Sequence, residues 1–286
     1  REVAKNPGHE VPVLYTQVDR AADPGDPPTF RSYRWKVDAD RYLEGWPMRV
    51  VAEVADLRAS PNGARDRQLL LGAAVTVFER HVGWAFVQAV DGYVGYVEET
   101  DLADPLDPTH FVATIATHAY AQEDLKSPDQ HSLPFGARVT VVDERRKFFE
   151  TNIGFVPKSH LREISRPFTD PATVAQLHFG VPYLWGGNSS RGIDCSGLIA
   201  AALTACDLPC SADSDMQRAE LGQAFDEPFQ RGDLIFWDGH VGMMVDEVTL
   251  IHANAHHMAT AYEPIERAIL RIAAQDGGPV LARKRL

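Results

Sequence analysis

An internal repeat of short strand-like segments limits the fold of this chain more than any other sequence feature. The stretch LLLGAAVTVFE, residues 69–79, resembles SLPFGARVTVVD, residues 132–143. A second pair, GYVEETDL at 95–102 and GFVPKSHL at 154–161, follows at a similar spacing. Each copy alternates apolar and polar residues between glycine turns, which is the pattern of short half-buried strands. The repeat therefore predicts two small consecutive β-barrels of about 55 residues each.

The pattern changes after the second copy of the repeat. The stretch DPATVAQLHFG has Asp170 and Pro171 at helix-cap and first-turn positions, and a second apolar helix follows residue 195. Three strand-like segments come next: DLIFWDG, HVGMMVDEV and TLIHANA. Helices followed by antiparallel strands indicate an α+β domain. We therefore predict an irregular extension over 1–46, β-barrels over 47–104 and 105–166, and an α+β domain over 167–286.

Composition excludes several classes of protein. The 286 residues carry a formal net charge of −12, which argues against nucleic acid or an anionic membrane as a partner, because both attract lysine and arginine. The apolar runs fall well short of the ~20 residues that a membrane-spanning helix needs, so no membrane span is expected. Three cysteines cannot all pair, and at least one thiol is free. The sequence leaves the compartment open between the cytoplasm and an exported location.

The stretch GIDCSG, residues 192–197, places Cys195 where a loop becomes a helix. A helix N-terminus carries partial positive charge and unpaired N–H groups, with Asp194 or a neighbour near the cap. This position favours a stabilised thiolate that acts as a nucleophile, with N–H groups available for an oxyanion. The alternative is a cysteine that packs into the core from the first turn of a helix.

Two histidines offer a base and its orienting partner. His240 begins one predicted strand and His252 lies in the next. A hairpin centred on residue 246 would place the two residues directly opposite each other, about 5 Å apart at Cβ. One imidazole could then orient the other, as in a catalytic triad.

A metal site is the competing interpretation of the same region. The stretch HANAHH, residues 252–257, and the pair Cys206 and Cys210 could supply ligands. A lone Cys-x3-Cys spacing is weak evidence for zinc, and the adjacent histidines lack a second spaced cluster. We therefore predict no metal, a packing role for Cys206 and a loop position for Cys210.

The motifs PYLWGGNSSRGIDCSGLI, RGDLIFWDGHVGMMV and LIHANA occur in order, and together they resemble the NlpC/p60 family of papain-like cysteine peptidases. The pattern ADLRASP, LLLGAAVTVFE, GWAFVQA and DGYVGYV resembles bacterial SH3-like domains, and the second repeat matches it more loosely. The resemblance implies a papain-like domain behind two SH3-like barrels. It further implies Cys195 as nucleophile, His240 as base and His252 as third member, without any cofactor.

The two-repeat members of this family act on free murein peptides, so the resemblance implies substrates such as L-Ala-γ-D-Glu-diaminopimelate, cut at the γ-D-glutamyl bond. We expect a monomer. The substrate-contacting residues carried over from the family are Tyr183, Asp194, Ser196, Ser214 (with Ser211 as a rival) and Tyr96 (with Tyr93 behind it). In the family, the tyrosine of the first barrel closes the site over the substrate's amine.

One position departs from the family pattern. Relatives with two repeats have a glutamate in the first barrel that contacts the substrate's amine, whereas Ser60 occupies the aligned position here. Asp56 or Asp66 is the expected substitute. Two other functions stay open at this point: an amidase or acyltransferase with the same triad, and a cell-wall-binding protein with an idle cysteine.

Overall fold

The computed structural model describes residues 45–275 and 277–286, together with the backbone of four short strands nearer the start of the chain. In this early group, one pair is parallel (β1 with β4) and the other is antiparallel (β2 with β3). The bounds are β1 (Val13–Leu14), β2 (Thr16–Asp19), β3 (Thr29–Ser32) and β4 (Arg41–Tyr42). These strands fall within residues 1–46, where the sequence predicts irregular structure. The rest of that prediction lies outside the described residues.

The first β unit is a seven-stranded antiparallel sheet in the order β11–β5–β8–β9–β10–β6–β7. Alternate residues point inwards, so that Val50, Leu57, Val77, Val87 and Val97 form a fully buried core. A turn at Asp91 and Gly92 joins β9 to β10. The bounds are β5 (Trp46–Val50), β6 (Val54–Arg58), β7 (Arg65–Leu70), β8 (Ala74–His81), β9 (Trp84–Ala89), β10 (Val94–Glu98) and β11 (Leu102–Ala103).

The second β unit has a three-stranded sheet, β15–β12–β19, and a five-stranded sheet, β14–β13–β18–β17–β16. Its core contains Val112, Ala119, Leu133, Val139 and Val156. That this unit is a second SH3-like domain stays a prediction. The bounds are β12 (His110–Val112), β13 (Ala116–Tyr120), β14 (Asp129–Pro134), β15 (Arg138–Val139), β16 (Val141–Glu144), β17 (Phe148–Thr151), β18 (Gly154–Pro157) and β19 (Leu161–Glu163).

The glycines of the sequence repeat mark the contact between the two β units. Gly72 and Gly136 both adopt the left-handed region, with φ of +79° and +83°. A Cβ on Gly72 would lie 2.3 Å from the carbonyl oxygen of Arg138 in the other unit. The N–H of Arg138 donates to the carbonyl of Leu71 at 2.8 Å. Glycine is therefore needed at residue 72 both for the turn and for this close approach.

The third unit is a six-stranded sheet, β22–β27–β23–β24–β25–β26, with helices on both faces. Its helices are α1 (Pro171–Leu177), α2 (Cys195–Thr204), α3 (Ser214–Glu220) and α4 (Ile265–Ala274). Its strands are β20 (Asn188–Ser189), β21 (Gly192–Ile193), β22 (Gln223–Ala224), β23 (Leu234–Trp237), β24 (His240–Met244), β25 (Thr249–Asn254), β26 (Ala259–Pro264) and β27 (Ala282–Arg285).

Burial on both faces explains why the central strands are continuously apolar. In β23, Leu234 and Phe236 pack with α1 and α2, whereas Ile235 and Trp237 pack with α4. The predicted start of α1 is confirmed, because the Asp170 carboxylate accepts from the N–H of the second helical residue at 3.0 Å. The predicted α+β class is also confirmed. Among the described residues, no helix has the length and apolar character needed to cross a membrane.

Candidate active site

Cys195 is the first residue of α2, and the preceding loop fixes the start of this helix. The Asp194 carboxylate caps the helix by accepting from the Gly197 N–H at 2.7 Å. The buried thiol of Cys195 lies 3.8 Å from the carbonyl oxygen of Gly239, just before β24. The N–H of Val241 donates to the same sulfur. The helix start therefore holds the thiol against the first residues of β24.

The protonation state of this thiol differs from the sequence-based expectation. Burial raises the pKa of Cys195 to about 12, and the nearby Asp194 carboxylate acts in the same direction. Hydrogen bonds from backbone N–H groups, including that of Ser196, act in the opposite direction. The expectation of a thiolate stabilised by the helix start is wrong for this structure, because desolvation of the sulfur outweighs the N–H groups. A base must therefore remove the thiol proton as the sulfur reacts.

His240 and His252 form a direct pair at the same end of the sheet. Nε2 of His240 lies 2.9 Å from Nδ1 of His252, and the His252 side chain is fully buried. Burial holds the pKa of both imidazoles below their usual range, and each charged ring would disfavour the other. His240 is therefore neutral at physiological pH and can accept a proton at its other nitrogen, Nδ1.

The hairpin that carries the two histidines has a different register from the one predicted. Met243 pairs with Ile251, so the hairpin is centred on residue 247 rather than 246. The Asp246 carboxylate sets this turn by accepting from the N–H groups of Val248 and Thr249. The histidines are diagonal neighbours, and the expectation that they face each other directly is wrong. Diagonal side chains still lie within reach of each other on one face of a sheet.

A buried ion pair lies behind His252, and the sequence reasoning missed it. Nε2 of His252 lies 3.2 Å from Oε2 of Glu263 on β26. Arg271 on α4 donates to both oxygens of this carboxylate, at 2.9 and 2.7 Å. Burial alone would raise the pKa of Glu263, but the hydrogen bonds from His252 and Arg271 hold it well below its usual range. A second hairpin after β25 was the available signal, because it puts Glu263 diagonal to His252.

Tyr183 and Asp194 lie beside the thiol. Burial raises the pKa of Tyr183 to about 12, and Cys195 and Asp194 add to this effect. The Tyr183 hydroxyl is therefore a hydrogen-bond donor near the sulfur at any physiological pH. Asp194 accepts from the hydroxyl of Ser196 at 3.2 Å and from the N–H of Gly186 at 2.9 Å, in addition to its cap. Because both of its oxygens already accept hydrogen bonds, Asp194 shapes the loop as well as the pocket.

A small cleft of about 10 Å³ lies where the first β unit meets the third unit, and the residues on either side of Cys195, Asp194 and Ser196, line it. The Arg65 guanidinium fixes the two units by donating to the carbonyl of Trp185. Gly186 has φ of +68°, and a Cβ there would lie 2.5 Å from the carbonyl oxygen of Asp66. The backbone at Gly186 therefore packs directly against the backbone at Asp66, with no room for a side chain between them. The cleft is lined by Asp66, Arg67, Gly186, Gly187, Asn188, Asp194, Ser196, Gly197, Ala212 and Asp213.

Tyr96 lies elsewhere, so its predicted position over the cleft is wrong. Its buried ring packs against Phe86 at 5.1 Å and lines a cavity of about 530 Å³. The described residues that line this cavity all belong to the first β unit. Tyr93, the alternative, is three positions earlier and therefore faces the other side of the sheet. Its hydroxyl lies in the field of Asp213 and Asp66, which together with burial raise its pKa.

Of the two aspartates considered as substitutes for the glutamate, Asp66 and not Asp56 has no hydrogen-bond partner among the described residues. Asp56 is already bound by Arg58 at 3.0 Å, by Gln68 at 3.1 Å and by Arg65 at 3.6 Å. The Asp66 carboxylate accepts no hydrogen bond from any residue that the structure describes, and burial raises its pKa. Asp66 therefore presents an unpaired carboxylate in the cleft.

The loop before α3 contributes an aspartate to the lining of the cleft. Ser214 is the first residue of α3, and its contact with substrate stays a prediction. The rival Ser211 is buried and donates to the Glu220 carboxylate. Asp213, one residue before the helix, lines the cleft. Gln217 holds this loop against α2 by donating to the carbonyl of Ser196 at 3.0 Å.

One group of side chains has the spacing of a metal site. Ligand atoms of His252, His257 and Glu263 lie within 4.8 Å of one another. Both oxygens of Glu263 are occupied by Arg271, whose positive charge disfavours a cation at this place. We assign no metal here. Cys210 accepts from the Gln217 amide at 3.4 Å, and all three cysteines are free.

Comparison with known proteins gives this geometry a context. The profile of the NlpC/P60 family matches residues 180–270, and that of the bacterial dipeptidyl-peptidase SH3 domain matches residues 57–102. A γ-D-glutamyl-L-lysine dipeptidyl-peptidase of Bacillus cereus is 25% identical over 223 residues, which cover 66% of this chain and 67% of that protein. Dipeptidyl-peptidase 6 of Lysinibacillus sphaericus is 24% identical over 234 residues, covering 72% and 86%.

A solved structure has the same fold. It is an NlpC/P60 family protein from Bacillus cereus with a TM-score of 0.68 and 19% identity, covering 84% of this chain and 99% of that one. Cys195, His240, His252 and Glu263 all lie within the matched NlpC/P60 region. The relatives identified by sequence are peptidases, which supports a hydrolase of the peptidase class. This chain therefore contains an NlpC/P60 domain preceded by a bacterial SH3 domain.

Proposed function

We propose that this chain is a cysteine peptidase that hydrolyses murein peptides at the bond between the γ-carboxyl of D-glutamate and a diamino acid. One observation carries the proposal: the Cys195 thiol at the start of α2 lies against Gly239 and Val241, on either side of His240. The His240–His252 contact of 2.9 Å provides the base and its partner. The activities named for the Bacillus and Lysinibacillus relatives support the same reaction class.

The reaction begins from a neutral thiol and a neutral imidazole. His240 takes the proton as Cys195 attacks the γ-carbonyl, so that the charged pair forms only during the reaction. The N–H groups at the start of α2 and the protonated Tyr183 hydroxyl are available to stabilise the oxyanion. His240 then protonates the leaving amine of the diamino acid. Water, activated by the same imidazole, releases the acyl group from the sulfur.

The side chains at the cleft between the units favour a substrate with a free N-terminal ammonium group. Asp66 offers an unpaired carboxylate, Asp213 adds negative charge, and the Tyr93 hydroxyl lies in the same field. A bound ammonium would give Asp66 the charge-assisted hydrogen bond that it lacks. The first β unit also walls off this end of the cleft through Arg65 and Trp185. These features favour release of an L-Ala-γ-D-Glu dipeptide from a free peptide. Asp66 would bind the substrate's amine in place of the glutamate that related proteins use.

The direct test is mass spectrometry of products from a panel of defined peptides. Free L-Ala-γ-D-Glu-L-Lys and its diaminopimelate analogue should each yield a dipeptide and a free diamino acid. Cys195→Ala should yield neither product. A substrate cleaved at another amide would instead support an amidase of the same fold. Binding to cell wall without any cleavage would support the non-catalytic alternative.

A further inference from the structure

A buried chain of hydrogen bonds continues behind the two histidines and ends at an arginine. It runs from His240 to His252 at 2.9 Å and from His252 to Glu263 at 3.2 Å. Arg271 closes it with two contacts to the carboxylate. The His252 side chain is fully buried, and those of Glu263 and Arg271 are 11% and 18% exposed. Removing an ion pair from water costs free energy, so packing alone gives no reason for one directly behind His252.

The chemistry of the carboxylate sets the direction of every hydrogen bond in this chain. An ionised Glu263 can only accept, so Nε2 of His252 must carry its proton. The other nitrogen of His252, Nδ1, therefore carries no proton and accepts a hydrogen bond. The donor is the N–H at Nε2 of His240. This leaves the lone pair of His240 on Nδ1, away from His252. Nδ1 is the nitrogen that has to take the proton from Cys195.

We propose that Glu263, held by Arg271, is a positioning residue that fixes the tautomers of both histidines and stabilises the imidazolium formed on His240. The inference rests on the proposed function, because it assumes that His240 serves Cys195. It adds a fourth and a fifth member to the three residues that the sequence predicts. The two charges have separate effects: Glu263 favours a positive His240, whereas Arg271 opposes it and holds the carboxylate in place.

Few charged groups surround the two histidines, so the direction of each change in the pKa of His240 can be predicted. On the side of the sulfur lie Cys195, Tyr183 and Asp194. On the other side the ring of His257 lies 6.2 Å from that of His252, beside Glu263 and Arg271. Glu263 raises the pKa of His240 and Arg271 lowers it. Removing the charge of Glu263 should therefore lower the pKa of His240, and removing the charge of Arg271 should raise it.

The kinetic test uses two single variants and their combination. Glu263→Gln should lower kcat about 10- to 100-fold with little change in KM, which is the range for groups that orient metal-bound histidines from behind. The acidic limb of kcat/KM for the N-acetylated peptide, which does not depend on Asp66, should move to lower pH in this variant, because Arg271 is then uncompensated. Arg271→Met should move the same limb to higher pH. The double variant should be more active than Glu263→Gln, because it removes the unpaired positive charge.

The spectroscopic test reads the tautomers and needs no turnover. Histidine ¹⁵N chemical shifts in the full chain should show His252 protonated at Nε2 in the wild type. In Glu263→Gln this signal should change or broaden, whereas Glu263→Asp should retain it. If Glu263→Gln fails to fold, the Glu263→Asp and Arg271→Met variants still give the comparison.

A matched control exists in the same domain. Asp233 forms a similar two-contact pair with Arg285, at 2.8 Å for each contact, and none of its hydrogen bonds goes to a histidine. Asp233→Asn should lower the unfolding temperature without moving the acidic limb.

Two results would overturn the inference. The first is an acidic limb of the kcat/KM profile that moves equally in Glu263→Gln, Arg271→Met and the control Asp233→Asn. The second is a wild-type His252 that carries its proton at Nδ1. Failure of the proposed function is recognised separately. It would appear as a wild-type protein that hydrolyses no panel peptide, or as hydrolysis that survives Cys195→Ala.

Discussion

Replacing Asp66 with asparagine should remove the preference for peptides with a free N-terminal ammonium group. The Asp66 carboxylate lies in the cleft, accepts no hydrogen bond from the described part of the chain and has a pKa raised by burial. A substrate ammonium would supply the missing partner. Asparagine has nearly the same size but no charge, so the variant changes the electrostatics of the cleft and little else.

The expected size of the effect follows from the type of interaction that is lost. A hydrogen bond to a charged group contributes about 1.5–3 kcal/mol, and a tenfold change corresponds to about 1.4 kcal/mol. The specificity constant kcat/KM for the free tripeptide should therefore fall about 10- to 150-fold. Arg67 lines the same cleft and opposes a bound ammonium, so we expect the lower half of this range. The N-acetylated tripeptide should be nearly unaffected.

The assay compares kcat/KM for the free and N-acetylated tripeptides in each variant. Tyr93→Phe should reduce the ratio of the two constants, because the Tyr93 hydroxyl lies in the field of Asp66 and Asp213. Tyr96→Phe is the matched control, since Tyr96 lies in the separate aromatic cavity and should leave the ratio unchanged. An unchanged ratio in Asp66→Asn, or an equal loss for both substrates, would refute the amine-capture argument.

Three further predictions follow from the same geometry. Cys195→Ala should abolish turnover while the unfolding temperature stays close to that of the wild type, because one buried sulfur is lost; residual hydrolysis in a mass-spectrometric assay would contradict the nucleophile assignment. His240→Ala should be more severe than His252→Ala, because the first removes the base and the second only its partner; the reverse order in kcat would exchange their roles. The pH profile of kcat/KM for the free peptide should have an acidic limb that reflects two groups. The pKa of His240 is lowered, so a neutral base persists into acid, whereas the pKa of Asp66 is raised, so its charge is lost earlier as pH falls. The free-to-acetylated ratio should therefore decline in acid before hydrolysis of the acetylated peptide does, and a constant ratio from pH 7 downwards would contradict this order.

Features encoded in contiguous residues could be predicted from the sequence. The alternation of apolar residues around Gly72 and Gly136 predicted the strands and turns of both β units. The cap at Asp194 predicted the start of α2, and therefore the position of Cys195. These signals are local, because a cap, a turn or a strand period depends on residues that are neighbours in the chain.

Features that depend on the register between strands, and on which face of the sheet a side chain occupies, could not be predicted from contiguous residues. A turn held by Asp246 shifted the histidine hairpin by one residue. Tyr93 and Tyr96 look equivalent in the sequence, yet an odd separation along a strand sends them to opposite faces. Glu263 joins His252 only because a second hairpin folds back beside the first.

The protonation state of the nucleophile was decided by the tertiary structure alone. The sequence located Cys195 at a helix start, and that local argument favoured a thiolate. Folding packs the sulfur against β24 and beside Asp194, and burial then raises its pKa. The local N–H groups are fixed by a few neighbouring residues, whereas the loss of hydration depends on every element that covers the sulfur. Those elements come from distant parts of the chain and meet only in the folded protein.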